Sequence, residues 1–139
     1  MVICDTSGLI AYFDASDAHH RPVSAAIEED LGPFVVSPYV LAELDYLLAT
    51  RRGVPAELAV LDELSGGGWE LPDFGAVDLR RARDIIERYH HQNIGLADAS
   101  LVILADRYQT PRILTLDTRH FAVLRTVGGK RFTVLPRER

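Results

Sequence analysis

The amino-acid sequence predicts a single α/β domain over residues 1–139, with helices surrounding a short central parallel sheet. Short apolar runs alternate with segments of helical periodicity, which is typical of βα units. The apolar runs contain no alternating polar residues, so we expect both faces of the sheet to be buried in three α/β/α layers. Apolar residues make up 47% of the chain, enough for one hydrophobic core at this length.

The first part of the chain predicts two strands separated by helices. Residues 2–4 form the first apolar run, and residues 7–13 suit a short helix directly after it. Residues 34–36 form the second apolar run. Between the two runs, four apolar residues recur at helical spacing: Val23, Ala26, Ile27 and Leu31.

Capping signals mark the next helices. Ser37 and Pro38 suit the N-cap and the first position of a helix, and Gly53 suits its end. The apolar residues of this helix are Val40, Leu41, Leu44, Leu47 and Leu48. A further helix is expected after Pro55, where three leucines follow at helical spacing: Leu58, Leu61 and Leu64.

The second half of the chain continues the alternation of helices and strands. An amphipathic helix is indicated by Leu79, Ala82, Ile85, Ile86 and Tyr89. Residues 96–108 are almost all apolar, which predicts a central helix. Two further apolar runs, residues 112–116 and 132–135, predict the last two strands.

Composition argues against several classes of protein. No stretch approaches the roughly 18 consecutive apolar residues of a membrane span. The amino terminus has no basic segment and Asp5 interrupts it, so we expect no secretory signal and a cytoplasmic protein. Cys4 is the only cysteine, which excludes an internal disulfide or a cysteine-rich zinc site. The formal net charge of −5 excludes a wholly basic nucleic-acid-binding surface.

Two acidic residues follow predicted strands. Asp5 comes directly after the first strand, and Asp117 comes directly after residues 112–116. Functional side chains collect at the carboxyl ends of parallel strands, so both residues are candidates for a site. Aspartate is also a common N-cap and turn residue, and this alternative stays open for both.

Asp98 is the most informative acid, because a helical wheel places it between Val102 and Ala105 on the apolar face of its helix. A carboxylate that faces the core is costly unless it is paired or binds a metal. The helix dipole reduces this cost in the first turn, so a capping role is the alternative. Asp106 lies about 12 Å further along the helix, too far to share a metal with Asp98, and is interpreted as a surface acid.

Glu43 and Asp45 border the apolar face of the helix that starts at Pro38, on opposite sides and by equal angles. Periodicity does not choose between them, and a solvated position is the alternative for either. Three or four carboxylates that meet at strand ends form an oxygen-only site, which hard ions such as Mg²⁺ and Mn²⁺ prefer. Two such ions can stabilise the attacking and leaving oxygens in phosphodiester hydrolysis.

Four short motifs occur in order along nearly the whole chain. They are Asp5-Thr6-Ser7, Glu43-Leu44 five residues after Pro38, Leu96-Ala97-Asp98-Ala99, and Thr115-Leu116-Asp117 followed by His120-Phe121. In this order and spacing the sequence resembles PIN-domain proteins, and it is most similar to the VapC toxins of bacterial toxin–antitoxin modules. Each motif is short, but the set of four is fairly specific.

The resemblance implies a PIN-like α/β/α fold and an endoribonuclease that uses Mg²⁺, with Mn²⁺ as an alternative, to activate a water molecule against RNA phosphodiester bonds. It favours Glu43 over Asp45. The catalytic and metal-binding residues that it implies are Asp5, Glu43, Asp98 and Asp117. It also implies supporting hydroxyl groups at Ser7 and Thr115, for which ordinary turn or strand positions are the alternative.

The resemblance also implies two protein partners, a cognate antitoxin that inhibits the site and a second copy of the chain in a homodimer. The sequence departs from the family pattern at one visible position, because many relatives have a further acid where this chain has His120. His120 is therefore interpreted either as a contact to substrate phosphate or as a surface residue.

Three other functions are alternatives. A receiver-like phospho-signalling domain also has acids at strand ends, but it needs a lysine on a late strand, and the only lysine, Lys130, lies outside a clear strand end. A hydrolase of the aspartyl-phosphate type needs a second aspartate where Ser7 stands. A PIN fold retained only for binding is the third alternative.

Overall fold

The computed structural model describes residues 1–137, which contain four β-strands. These are β1 (Val2–Cys4), β2 (Phe34–Val36), β3 (Arg112–Leu114) and β4 (Thr133–Leu135). All four run parallel, in the order β2-β1-β3-β4. The predicted parallel sheet is therefore confirmed.

Seven α-helices accompany the sheet within the same residues: α1 (Thr6–Phe13), α2 (His20–Glu28), α3 (Pro38–Arg52), α4 (Val54–Ser65), α5 (Ala76–Arg88), α6 (Leu96–Arg107) and α7 (Thr118–Val123). A short 3₁₀ helix, His90–Gln92, lies between α5 and α6. Helix α1 packs against α2 and α3, and α5 packs against α6. Within residues 1–137, no helix is both long and apolar enough to cross a membrane.

The strand order explains why helices cover both faces of the sheet. The chain leaves β1 toward β2 on one side, and then passes from β2 to β3 on the other side of β1. Right-handed crossovers that run in opposite directions place their helices on opposite faces. The predicted three-layer α/β/α fold is confirmed, with α1 and α2 in the connection from β1 to β2 and α3–α6 in the connection from β2 to β3.

The core follows the predicted pattern. All three residues of β1 are fully buried, and so are Ile113 and Leu114 of β3. Helix α6 contributes seven consecutive buried residues, 99–105. A helix that is apolar all round has neighbours on every side, which confirms the prediction of a central helix.

Leu31 is the clearest error among the predicted apolar positions. It is fully exposed, because α2 ends at Glu28, before the last apolar residue of the helical pattern. The turn that follows is closed by Asp30, whose side chain accepts a hydrogen bond of 2.9 Å from the N–H of Gly32. Gly32 has a φ of 67°, a conformation that favours glycine.

Three leucines expected on apolar helix faces are also exposed. In α4 the buried stripe consists of Val60 and Leu64, so Leu58 and Leu61 are left at the surface. The reason is that α4 packs mainly on α3, which covers one narrow stripe. Leu79 of α5 is exposed, because the side chains that this helix buries are those of Ala82 and Ile85, about one and two turns further along.

The segment after β3 also differs from the prediction. Strand β3 ends at Leu114, and Leu116 directs its backbone N–H to a side chain of α1 instead of a neighbouring strand. Helix α7 was not predicted, because it has only six residues and therefore little periodicity to detect. Asp117 caps this helix, with its Oδ1 accepting a hydrogen bond of 3.2 Å from the N–H of His120.

Candidate metal centre

The candidate site lies where β1 and β3 are neighbours and their connections run in opposite directions. Ligands of open α/β sheets bind at such switch points, outside the carboxyl ends of the strands. Asp5 directly follows β1, and its N–H donates a hydrogen bond of 2.8 Å to the carbonyl of Leu114, the last residue of β3. Asp117 follows three residues later, so the two strand-end acids are held at one edge.

Asp5 is buried and held by three hydrogen bonds. Its Oδ1 accepts from the N–H of Thr6 at 2.7 Å, which makes Asp5 the N-cap of α1. Its Oδ2 accepts from the hydroxyls of Thr115 at 2.7 Å and Ser7 at 3.1 Å. Burial raises the pKa of Asp5 above its usual value, while these hydrogen bonds to the carboxylate oppose that rise. Asp5 therefore serves both as a cap and as a member of the candidate site.

Ser7 and Thr115 connect Asp5 to the segment after β3. The Ser7 hydroxyl accepts the N–H of Leu116, and the Thr115 hydroxyl accepts the N–H of Asp117, both at 2.9 Å. The two hydroxyl oxygens are themselves 3.2 Å apart. Each hydroxyl therefore positions backbone on one side and the Asp5 carboxylate on the other, which is more than a turn or strand position requires.

Helix α6 brings Asp98 to the same edge. Its N-cap is Gly95, so Asp98 lies inside the first turn and does not cap the helix. The start of α6 is fixed by Ser100, which donates a hydrogen bond of 2.6 Å to Ala97 and lies 2.7 Å from the Ser37 hydroxyl at the end of β2. This buried hydroxyl pair ties α6 to a strand end, and it places Asp98 with 17% of its side chain exposed.

The pKa of Asp98 depends on the charged groups that lie near it. Burial and then the charge of Asp5 raise the pKa of Asp98 to about 6, and the charges of Asp117 and Glu43 add to this rise. His120 acts in the opposite direction. All four predicted acids therefore lie near enough to interact through their charges, although they come from four separate segments of the chain.

The structure separates Glu43 from Asp45, which periodicity did not. Glu43 lies toward the site, and its Oε1 accepts a hydrogen bond of 2.6 Å from the Thr6 hydroxyl, next to Asp5. Asp45 lies toward α4, where its Oδ1 is buried and has no hydrogen-bond partner among residues 1–137. This contact of Thr6 was not predicted, because no spacing distinguishes Thr6 from an ordinary first residue of a helix.

His120 contacts two of the acids. Its Nδ1 lies 2.7 Å from Oδ2 of Asp117 and 3.6 Å from Oδ2 of Asp98. The interpretation of His120 as a plain surface residue is therefore wrong. The sequence signal for this contact is the three-residue spacing between an N-cap aspartate and the histidine, which places both on one side of the first turn.

Asp98, Asp117 and His120 form the tightest group of potential metal ligands within residues 1–137. One donor atom from each lies within 4.8 Å of the others, whereas Asp5 and Glu43 are outside this group. Asp5 is linked to this group through the Thr115 hydroxyl, which bonds both Asp5 and the N–H of Asp117. Glu43 is linked to it through the hydroxyl of Thr6, next to Asp5. Carboxylate oxygens with one imidazole nitrogen suit a divalent cation, so this donor set fits the ion that the fold implies.

Asp106 lies apart from this centre, as predicted. It forms an ion pair of 2.9 Å with Arg81 of α5. Both side chains are about one-third exposed, so the pair belongs to the surface between α5 and α6.

Comparison with known protein families agrees with the geometry. The family model of the PIN domain matches residues 2–126. The chain belongs to the PIN domain family. It is 58% identical over 135 residues to ribonuclease VapC26 of Mycobacterium tuberculosis, a match that spans 97% of this chain and 100% of that protein. This similarity over the full length marks it as a VapC-type PIN-domain protein, and it removes the receiver-like and aspartyl-phosphate alternatives.

Solved PIN-domain structures share the fold at low sequence identity. The crystal structure of Mycobacterium tuberculosis VapC20, a sarcin-ricin loop cleaving toxin, superposes with a TM-score of 0.76 at 20% identity, covering 81% of this chain and 87% of that one. The DNA-bound VapBC structure from Salmonella typhimurium gives a TM-score of 0.66 at 19% identity, covering 96% and 98%. These likenesses support the fold.

Proposed function

We propose that this VapC-type PIN-domain protein is a divalent-metal-dependent endoribonuclease and the toxin of a toxin–antitoxin system. The observation that carries the proposal is the meeting of four acids from separate segments at one sheet edge, where their charges and burial raise the pKa of Asp98 to about 6. Crowded carboxylates destabilise a fold unless a cation neutralises them. Their presence supports a working enzyme over a PIN fold retained only for binding.

Each acid has a distinct role in the proposed mechanism. Asp98 and Asp117 would hold the cation, Mg²⁺ or Mn²⁺, because each offers a donor atom within 4.8 Å of the other and of His120. Asp5 adds charge from a fixed position, because three hydrogen bonds prevent its carboxylate from turning. A bound divalent cation supplies Lewis-acid stabilisation of the phosphodiester and makes a water molecule more acidic.

Glu43 is the acid that we assign to proton transfer. It is the most exposed of the four, so water and substrate reach it. Thr6 holds its Oε1, which leaves Oε2 to accept a proton from the attacking water. The burial of Asp5 behind Thr115 and Ser7 makes that residue unsuited to the same role.

A second feature, a groove that shares no lining residue with the acidic site, supports contact with RNA. It has a volume of about 940 Å³ and lies between α2, the start of β3 and the end of β4. Arg21 and Arg137 line it, and within residues 1–137 neither forms an ion pair. Arginine forks suit phosphate oxygens, so we propose that a flanking stretch of the RNA backbone lies in this groove.

Two protein partners belong to the same proposal. Structural neighbours of this chain include a toxin–antitoxin complex from Klebsiella pneumoniae, with a TM-score of 0.70 at 18% identity. We infer a cognate antitoxin that blocks the metal edge, and a homodimer as the free form. Light scattering of the purified chain measures its mass, and a monomer at micromolar concentration contradicts the homodimer.

Cleavage of RNA by the purified chain tests the function. With Mg²⁺, we expect Asp5→Asn and Asp98→Asn to reduce the rate at least about a hundredfold, because each removes charge from the site. Asp106→Asn is the matched control, since it changes an acid of the same helix outside the site, and it keeps the wild-type rate. Wild-type rates in both site variants would show that the assignment is wrong.

A further inference from the structure

His120 lies where a metal ligand would be. The roles proposed for the four acids leave its imidazole without a function. The imidazole comes from the first turn of α7, and its Nδ1 atom faces Asp98 and Asp117. Asp117 holds His120 at two points, because it contacts the ring Nδ1 atom and also accepts the backbone N–H of His120 at 3.2 Å. About a quarter of the side chain is exposed, so the ring lines the open side of the centre.

The donor spacing suits direct coordination. Two ligands at right angles around an ion, each about 2.1 Å from it, lie about 3 Å apart. The Nδ1 atom lies 2.7 Å from one carboxylate oxygen and 3.6 Å from the other, which brackets that value. His120 is also the only ion-pair partner of Asp98 within residues 1–137, so the two acids share one nitrogen.

We propose that Nδ1 of His120 is a direct ligand of the divalent cation, and that this mixed nitrogen–oxygen centre selects Mn²⁺ over Mg²⁺. The inference rests on the proposed function for the presence of a cation. Mg²⁺ demands near-ideal octahedral geometry, dehydrates reluctantly and takes oxygen ligands. Mn²⁺ shares the preference for carboxylates, but as a first-row transition metal it also accepts an imidazole nitrogen. Coordination uses the Nδ1 lone pair and leaves the ring hydrogen on Nε2, which faces away from the acids.

A purely hydrogen-bonding role for His120 makes a different prediction. A ring that only donates from Nδ1 to Asp117 would be replaced well by asparagine, whose amide N–H occupies a similar position. Such a replacement would leave the choice of metal unchanged. The variant His120→Asn therefore separates a ligand from a hydrogen-bond donor, and His120→Asp converts the centre to oxygen ligands alone.

Electron spin-echo spectroscopy of the full chain loaded with Mn²⁺ provides the first test. We expect the modulation of a directly bound ¹⁴N nucleus in the wild type, and its loss in His120→Asn. His91→Asn is the matched control, because His91 is an exposed histidine of the 3₁₀ helix, and it keeps the signal. A Mn²⁺-loaded wild type without nitrogen modulation overturns the proposal.

Calorimetric titration with Mn²⁺ and with Mg²⁺ provides the second test. The wild-type preference for Mn²⁺ over Mg²⁺ should fall about tenfold or more in His120→Asn and in His120→Asp, and stay unchanged in His91→Asn. Equal preferences in the wild type and His120→Asn also overturn the proposal. If the wild type cleaves RNA but shows no nitrogen modulation, His120 is not a metal ligand, and the proposed ribonuclease activity stands. If it shows nitrogen modulation but does not cleave RNA, the ribonuclease activity is refuted, and the assignment of His120 as a ligand stands.

Discussion

The hydroxyl of Thr115 donates a hydrogen bond of 2.7 Å to Oδ2 of Asp5, and the Thr115 Oγ1 atom accepts the N–H of Asp117 at 2.9 Å. The Thr115 side chain, directly after β3, thus fixes both the carboxylate of Asp5 and the backbone of Asp117. The Ser7 hydroxyl repeats this arrangement one residue earlier, through Leu116. The spacing between the two strand-end acids is therefore set by hydroxyl groups and not by the sheet alone.

Thr115→Val should weaken both the fold and the metal site. Valine has nearly the same shape, but it removes one of the two hydroxyl donors to Oδ2 of Asp5 and leaves the N–H of Asp117 unpaired. We therefore expect a loss of about 1–3 kcal/mol in the free energy of unfolding. Urea denaturation measures this loss, and calorimetry should show weaker Mg²⁺ binding. Thr115→Ser restores the hydroxyl and should recover the affinity. An unchanged Mg²⁺ affinity in Thr115→Val would show that Thr115 does not position the metal centre.

Asp98→Asn should stabilise the cation-free protein at pH 7.5. The pKa of Asp98 is raised to about 6 from an unfolded value near 3.9. The folded state therefore holds this proton more tightly, so the stability it contributes is present below pH about 4 and is lost as the pH rises to about 6. Thermal unfolding in EDTA should show a higher Tm for Asp98→Asn at pH 7.5 and a smaller difference at pH 4.5. A lower Tm at pH 7.5 contradicts the crowding of charges.

Gly8→Ala should destabilise the fold. A Cβ atom at this position of α1 would lie 2.8 Å from Cγ and 2.9 Å from the carbonyl oxygen of Leu114. The carbonyl belongs to β3 and cannot move aside cheaply, so we expect a loss of about 1–3 kcal/mol despite the better helix propensity of alanine. Gly68→Ala is the control, because its Cβ would meet no atom within 4 Å. Equal unfolding midpoints for the two variants would refute the close approach of α1 to β3.

Asp45→Asn should stabilise the contact between α3 and α4. The Oδ1 atom of Asp45 is buried without a hydrogen-bond partner in the described chain, and the neighbouring Asp45 carboxylate raises the pKa of Glu57. At neutral pH the two acids repel, whereas an asparagine donates to Glu57. We expect a higher Tm at pH 7.5, with a smaller gain in acid, because the wild-type repulsion disappears when the pair holds a proton. Asp62→Asn, which changes an exposed acid of α4, should leave Tm unchanged.

Arg21→Gln and Arg137→Gln should weaken RNA binding without changing metal affinity. If each arginine contacts a phosphate, its loss reduces the slope of log affinity against log salt by about 0.7–0.9. Fluorescence anisotropy with a labelled RNA and an inactive Asp98→Asn background measures this slope. Arg83→Gln is the control, because Arg83 already pairs with Asp84 and Glu87 on α5. Identical slopes for all variants would exclude the groove as an RNA path.

Local patterns predicted most elements because each leaves a short-range signature. The strand runs at residues 2–4 and 34–36 and the cap at Ser37 coincide with β1, β2 and the start of α3. The errors occur where packing decides exposure. Leu58 has the same spacing as a core residue, but α4 packs mainly on α3, which does not cover it.

The sequence predicted the α/β class, the parallel sheet and the acids at strand ends, because hydrophobic periodicity and strand position are local properties. It also predicted Asp98 on an apolar helix face, where a carboxylate is costly unless it is paired or binds a metal. Periodicity left Glu43 and Asp45 equivalent and the family resemblance favoured Glu43, whereas the contact of Glu43 with Thr6 and the contacts of His120 with two acids are visible only in the tertiary structure. The choice depends on which helix packs against which strand end, and such contacts between distant segments have no signature in residue spacing.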